Sequence, residues 1–214
     1  MCIRDRFLHG SGERGNDNEA QLMHGGDLFL KEAIRKHFRA IVIFPQCPKD
    51  SGWSRIKRVP NSTEWQFLTQ TAPPVPQQLV KQLLDSLSDN KIANTKKIYL
   101  GGLSLGGLGT YDFLIRYPGY FAAAFPICGA TSISVFLEKA HPLPMWIFHG
   151  ALDTSVPPGF DRDLYTALMT RGAKNVLYTE YPKAGHNSWD SAFAEPRLLP
   201  WLFSVKKKNN YKAW

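Results

Sequence analysis

Apolar and polar positions along the chain change rhythm again and again. Continuous apolar, β-branched or aromatic runs at 40–44, 97–103, 121–127, 144–148 and 175–181 read as strands. Several are too uniformly apolar to leave one face in water. Between them, 76–87, 105–117 and 160–170 read as helices, and 195–206 as a closing one. In the first of these, Leu79, Leu83, Leu84 and Leu87 fall on one face. Alternation of strand and helix predicts an α/β fold around a mostly parallel sheet. The stretch TAPPVP at 71–76 reads as a loop entering a helix, because composition does not change across it. With no internal repeat or low-complexity segment, residues 1–214 read as a single domain.

Composition narrows the class without naming a function. At 214 residues, 43% apolar and 13% aromatic, the chain can bury one substantial core. No run approaches the roughly 18 apolar residues of a membrane span. The start MCIRDRFLHG also lacks the apolar stretch of a secretory signal, so the chain as it stands reads as soluble. The net charge of +8 invites a nucleic-acid reading, but the basic residues are dispersed, apart from Lys206, Lys207 and Lys208 in 205–214. Those residues read as a solvated basic tail, since no groove-reading motif or aromatic-interleaved basic stripe accompanies them. Three cysteines, Cys2, Cys47 and Cys128, form no C-x-x-C pair and suggest neither a zinc site nor a disulfide framework. Cysteine usage leaves the compartment open.

The densest chemical signal is GGLSLGGLGT at 101–110. Gly102-Leu103-Ser104-Leu105-Gly106 fits G-x-S-x-G, directly after an expected strand and before an expected helix. A strand turning sharply into a helix strains the residue at its tip, and glycines two positions to either side prevent Cβ clashes. The turn would present the Ser104 hydroxyl away from the sheet. The competing readings are a serine that only caps the helix, or a phosphate-binding loop, which here lacks the following Lys-Ser/Thr.

A serine hydroxyl needs a general base and a group that orients it. His186, in YPKAGHNSW after the last expected strand, is placed for the first task. His149 in WIFHGALD and His9 in FLHGSG each precede a glycine at a strand end and read as loop-shaping. His24, His37 and His141 have no supporting neighbours and read as surface histidines. Asp153 completes the chain order serine, acid, histidine expected of this arrangement. Its rivals Asp161 and Asp163 fit better on the first turn of the following helix, and Asp190 lies close to His186 in sequence. For an oxyanion, the Leu105 N–H at the helix start is the first donor. The glycine-rich loop His9-Gly10-Ser11-Gly12 offers the Ser11 N–H as the second.

Taken together, FLHGSGERGNDN, FPQCP followed by GWS, GGLSLGGLGTYDFLIRYP, PICGA, WIFHGALDTSVPP and YTEYPKAGHNSW resemble the dienelactone hydrolase and prolyl-oligopeptidase-like esterases of the α/β-hydrolase superfamily, over about residues 7–204. The resemblance implies Ser104 as nucleophile, Asp153 as acid, His186 as base, and Ser11 and Leu105 as carriers of the oxyanion-hole amides. By the same analogy Trp53 and Trp189 lie near the mouth and line the acyl or alcohol pocket, unless they are core or rim aromatics. The implied activity is cofactor- and metal-free hydrolysis of small, aryl or carbohydrate-linked esters. A serine peptidase and a non-catalytic binding domain on the same scaffold are the alternatives.

One departure from the family pattern stands at the start. The family carries a hairpin and a long apolar strand before its H-G-x-G loop, whereas only Phe7 and Leu8 precede His9 here. MCIRDR (1–6) is charged, unlike a buried strand, and reads as a non-native start. A chain truncated in this way would lack its first two strands and most of the third, together with any signal peptide. It would leave 41–44 as a bare sheet edge.

Overall fold

The structure, a computed structural model, describes residues 3–59, 65–140 and 142–208. Eight strands and eight α-helices follow one another along these residues. Strand β1 (Ile3–Leu8) leads through a 3₁₀ turn to α1 (Gly26–Leu30), α2 (Glu32–His37) and β2 (Ala40–Ile43). A small antiparallel hairpin, β3 (Ile56–Arg58) and β4 (Trp65–Phe67), precedes α3 (Val75–Asp89). Next come β5 (Tyr99–Leu103), α4 (Leu105–Arg116), β6 (Ala123–Ile127), α5 (Ile133–Lys139), β7 (Met145–Gly150) and α6 (Gly159–Thr170). Strand β8 (Val176–Tyr181), α7 (Trp189–Ala194) and α8 (Leu198–Ser204) close the fold.

Six strands form one parallel sheet in the order β2-β1-β5-β6-β7-β8. Every residue of β5, β6 and β7 is buried, as parallel strands with helices on both faces must be. The two outermost strands, β2 and β8, are only partly buried. On one face Leu84, Tyr111, Phe113, Phe136, Leu164 and Leu168 build a core from α3 to α6. On the other, Phe7, Phe125, Phe148, Ala192, Leu198 and Leu202 do so with α7 and α8.

The N-terminus differs from the sequence expectation. Ile3–Arg6, read as unlike a strand, belong to β1 and pair with β2 in the register Ile3 with Ala40 to Arg6 with Ile43. Strand pairing is made by main-chain groups, so charged side chains do not forbid it. Strand β2 is the outermost strand of the described sheet.

Helix α3 also divides differently. Its buried residues are Pro76, Gln77, Val80 and Leu84, while Leu79 and Leu83 are 58% and 42% exposed. Leu79 instead borders a cavity of about 440 Å³ with Gln46, Pro48, Trp53, Val75 and Pro76. The start of the basic tail is tied down: Lys207 N–H donates to the Lys96 carbonyl, and Tyr99 O–H to the Val205 carbonyl at 2.5 Å. The rest of that tail, from 209 on, and His141 lie outside the described residues.

Candidate active site

Strand β5 ends at Leu103, and the chain turns into α4 through Ser104, whose backbone is held at φ 53°, ψ −117°. This is a strained position for any residue but glycine. Ser104 N–H donates to the Ile127 carbonyl at the end of β6, and its own carbonyl accepts the first helical bond from Leu108 N–H. Gly102 is required on steric grounds, since a Cβ there would lie 2.3 Å from the Gly106 carbonyl oxygen. The Ser104 side chain makes no capping bond to α4.

Its hydroxyl goes elsewhere. Ser104 Oγ–H donates to His186 Nε2 at 2.8 Å, and His186 Nδ1–H donates to Asp153 Oδ2 at 2.7 Å. His186 comes from the loop after β8 and Asp153 from the loop after β7, so the ends of three parallel strands supply the three groups. Ligand crevices of open parallel sheets lie at these same carboxyl ends. Asp153 Oδ1 accepts from the Ser155 and Val156 N–H groups at 2.8 and 2.9 Å, which fixes the carboxylate's orientation. Burial opposes its charge. Hydrogen bonds from His149, His186 and Val156 outweigh that burial and hold the carboxyl well below the usual carboxylate range.

Leu105 begins α4, so its N–H belongs to the first helical turn and has no partner within the helix. The loop carrying Ser11 passes beside the serine: a Cβ on Gly10 would lie 3.6 Å from Ser104 Cβ. His9 shapes that loop, as its position before a glycine suggests. Its Nδ1–H donates to the Gly10 carbonyl at 2.6 Å, and its Nε2 accepts the Cys47 N–H at 2.9 Å. An accepting Nε2 requires a neutral ring, and burial lowers the His9 pKa in the same direction.

The two tryptophans part company. Trp189 is half-buried, with its ring edge-on to His186 at 5.4 Å between centroids. Trp53, read as a pocket-lining or a core aromatic, is fully buried and borders the cavity beside α3. Its indole N–H donates to the His9 carbonyl at 3.0 Å, its carbonyl accepts from Gln77, and its Cβ occupies the space a Gly109 side chain would need. Trp53 therefore ties the loop at His9 to the core while also lining that cavity.

Other residues at the site had weaker signals in the sequence. His24, read as a surface histidine, packs its ring 5.0 Å from that of Trp189 and lies 3.6 Å from Glu13. Asp163 and Asp190 are exposed, whereas Asp161 is fully buried on the first turn of α6 and bonds to His149. Cys128, Asp153 and His186 place possible ligand atoms within 4.8 Å of one another. Two of those three groups already share a hydrogen bond, and burial pushes the Cys128 thiol far up.

No family model matches the chain. A thermostable esterase of known structure superposes on it with a TM-score of 0.84 at 31% identity, over 96% of this chain and 55% of that one. The chain has the α/β-hydrolase fold. It shares the α/β-hydrolase fold at lower similarity with the acylaminoacyl peptidase of Pyrococcus horikoshii, with a TM-score of 0.63 and 15% identity over 99% of this chain and 39% of that one. In sequence, the chain is 30% identical over 76 residues to the bifunctional acetylxylan esterase/xylanase XynS20E of Neocallimastix patriciarum, covering 36% of this chain and 11% of that protein. The chain thus spans about half the length of the thermostable esterase and a ninth of the bifunctional enzyme.

Proposed function

We propose that the protein is a serine carboxylic-ester hydrolase. The observation that carries the reading is the unbroken hydrogen-bonded line from Ser104 through His186 to Asp153 at 2.8 and 2.7 Å. As Ser104 Oγ attacks an ester carbonyl, His186 Nε2 takes its proton and Asp153 stabilises the imidazolium that forms. The negative charge on the former carbonyl oxygen is met by the N–H groups of Leu105 and Ser11. His186 returns the proton to the departing alkoxide, leaving an acyl-serine. Water, deprotonated by the same nitrogen, then attacks the acyl carbon, and the carboxylic acid leaves as Ser104 regains its proton. Every step uses groups of the chain itself.

The substrate class proposed is small, aryl or carbohydrate-linked esters, with Trp189 at the rim where the acyl or alcohol group enters. Similarity to a thermostable esterase and to part of an acetylxylan esterase/xylanase supports ester chemistry. The fold itself is shared with a peptidase, so the experiment has to let peptides compete.

The test is fluorophosphonate labelling, followed by turnover of aryl acetate, feruloyl ester and prolyl anilide substrates, each with Ser104→Ala alongside. Labelling at Ser104 and ester hydrolysis lost in the variant are expected. Anilide turnover without ester turnover would mark a peptidase. A folded protein that the probe does not label would mark a binding domain.

A further inference from the structure

Behind Asp153 the hydrogen-bonded line continues into the core. His149, at the end of β7, is fully buried, and both of its ring nitrogens face acceptors. Nε2 lies 2.9 Å from the Val156 carbonyl and 3.3 Å from Asp153 Oδ2. A carbonyl can only accept, so Nε2 carries a proton. Nδ1 lies 2.7 Å from Asp161 Oδ2. That same carboxylate accepts the Gly129 N–H on Oδ2 and the Tyr111 O–H on Oδ1, two donors that favour its ionised, accepting form. Nδ1 therefore carries a proton as well, and a ring with two N–H donors is an imidazolium.

We propose that His149, held as an imidazolium between Asp161 and Asp153, is a positioning residue of the hydrolase site: it anchors Asp153 and offsets one of the two buried carboxylate charges behind His186. The inference rests on reading Ser104, His186 and Asp153 as the hydrolytic line.

The charge count follows from every element packed around the ring. The loop after β7 contributes Asp153, α6 contributes Asp161, and the loop after β8 contributes His186. Helix α4 brings Tyr111, whose hydroxyl is kept neutral by burial and by Asp161. The turn after β6 brings the Cys128 thiol, kept neutral by burial. Strand β8 brings Glu180, the register partner of His149. The Arg162 guanidinium neutralises Glu180, which also accepts the Tyr178 hydroxyl. With the outer pair balanced, the buried set is two carboxylates and one imidazolium, a net of one negative charge. Burial works against the His149 charge, yet hydrogen bonds to Asp153 and Asp161 outweigh it and push its pKa up to about 10.

Without the imidazolium, the hydrogen-bonded pair of Asp153 and His186 would stand against one more unbalanced negative charge. His149→Gln should therefore move the acid limb of the kcat/KM profile for an aryl acetate up by about one pH unit. Adding Asp161→Asn restores one net charge, and the limb should return toward its wild-type position. A purely structural role predicts the opposite ranking, with the double variant worse than the single and neither limb displaced. A folded, active His149→Gln enzyme whose limb coincides with wild type would overturn the proposal. Should the variants fail to fold, ¹⁵N NMR of the wild-type ring decides: both His149 nitrogens protonated at pH 8 is expected, and one bare nitrogen refutes it. Failure of the hydrolase reading looks different, as wild-type protein that neither labels at Ser104 nor turns over ester.

Discussion

Gly106 and Leu8 meet backbone to backbone: a Cβ on Gly106 would stand 1.9 Å from the Leu8 carbonyl oxygen. Helix α4 thus begins pressed against the end of β1, and the turn holding Ser104 is wedged between that strand and β6. Gly106→Ala cannot be accommodated by a rotamer change, because the obstacle is main chain. It should cost about 3 kcal/mol, lower the urea midpoint, and reduce ester turnover in the protein that still folds. A variant as stable and active as wild type would show that β1 does not buttress the turn.

Ser104→Ala removes the hydroxyl and little else, because that hydroxyl caps nothing in α4. Turnover should fall by roughly 10⁴-fold or more, with a melting temperature close to that of wild type. Substantial residual esterase activity in purified variant would place the nucleophile elsewhere.

Asp153→Asn keeps the shape of the acid but can present an amide N–H to His186 Nδ1, favouring the tautomer with its proton on Nε2. That nitrogen could then no longer accept from Ser104. A loss of about 10³- to 10⁴-fold in kcat is expected. If kcat falls less than tenfold in a folded variant, Asp153 is not the group that orients His186.

The His149 charge also ties stability to pH. Its folded pKa of about 10 exceeds the ordinary 6.5, so its contribution is complete below pH 6.5 and is lost as pH rises toward 10. Asp153 acts on the other side: its depressed pKa stabilises the fold above about pH 3.8 and is lost as pH falls further. Urea midpoints measured from pH 6.5 to 10 should decline for wild type and decline less for His149→Gln. Equal slopes would show that His149 is not charged in the folded protein.

Trp53→Phe tests what the buried indole does. Losing the bond to the His9 carbonyl should cost about 1 kcal/mol and lower kcat several-fold through the loop carrying Ser11, with KM little changed. A change in KM that depends on acyl-group size, with kcat intact, would make Trp53 a substrate-contacting residue instead.

The legible parts of this protein are those whose physics is local. The apolar runs at 97–103, 121–127 and 144–148 contain β5, β6 and β7 within a few residues, because a strand buried on both faces has no polar alternation to confuse. Helices α3, α4 and α6 likewise match the segments read at 76–87, 105–117 and 160–170. The short hairpin β3–β4 and helix α5 were not read, since three- to seven-residue elements carry too little periodicity. Among site residues, the motif around Ser104 and the chain order of acid and base pointed to three side chains that the structure places within hydrogen-bond reach.

What the sequence by itself determined is the alternation of elements, the strained turn at Ser104 and the short set of candidates for its partners. Only the tertiary structure decided that Trp53 is bonded to the His9 carbonyl and that Trp189 neighbours His186, because aromatic composition does not say which face of a loop turns inward. It also decided the place of Asp161 and His149. In sequence one is an ordinary acid on a first helical turn and the other a histidine before a glycine. Their weight comes from being buried together, where an unpaired charge is costly and each group fixes the proton of the next.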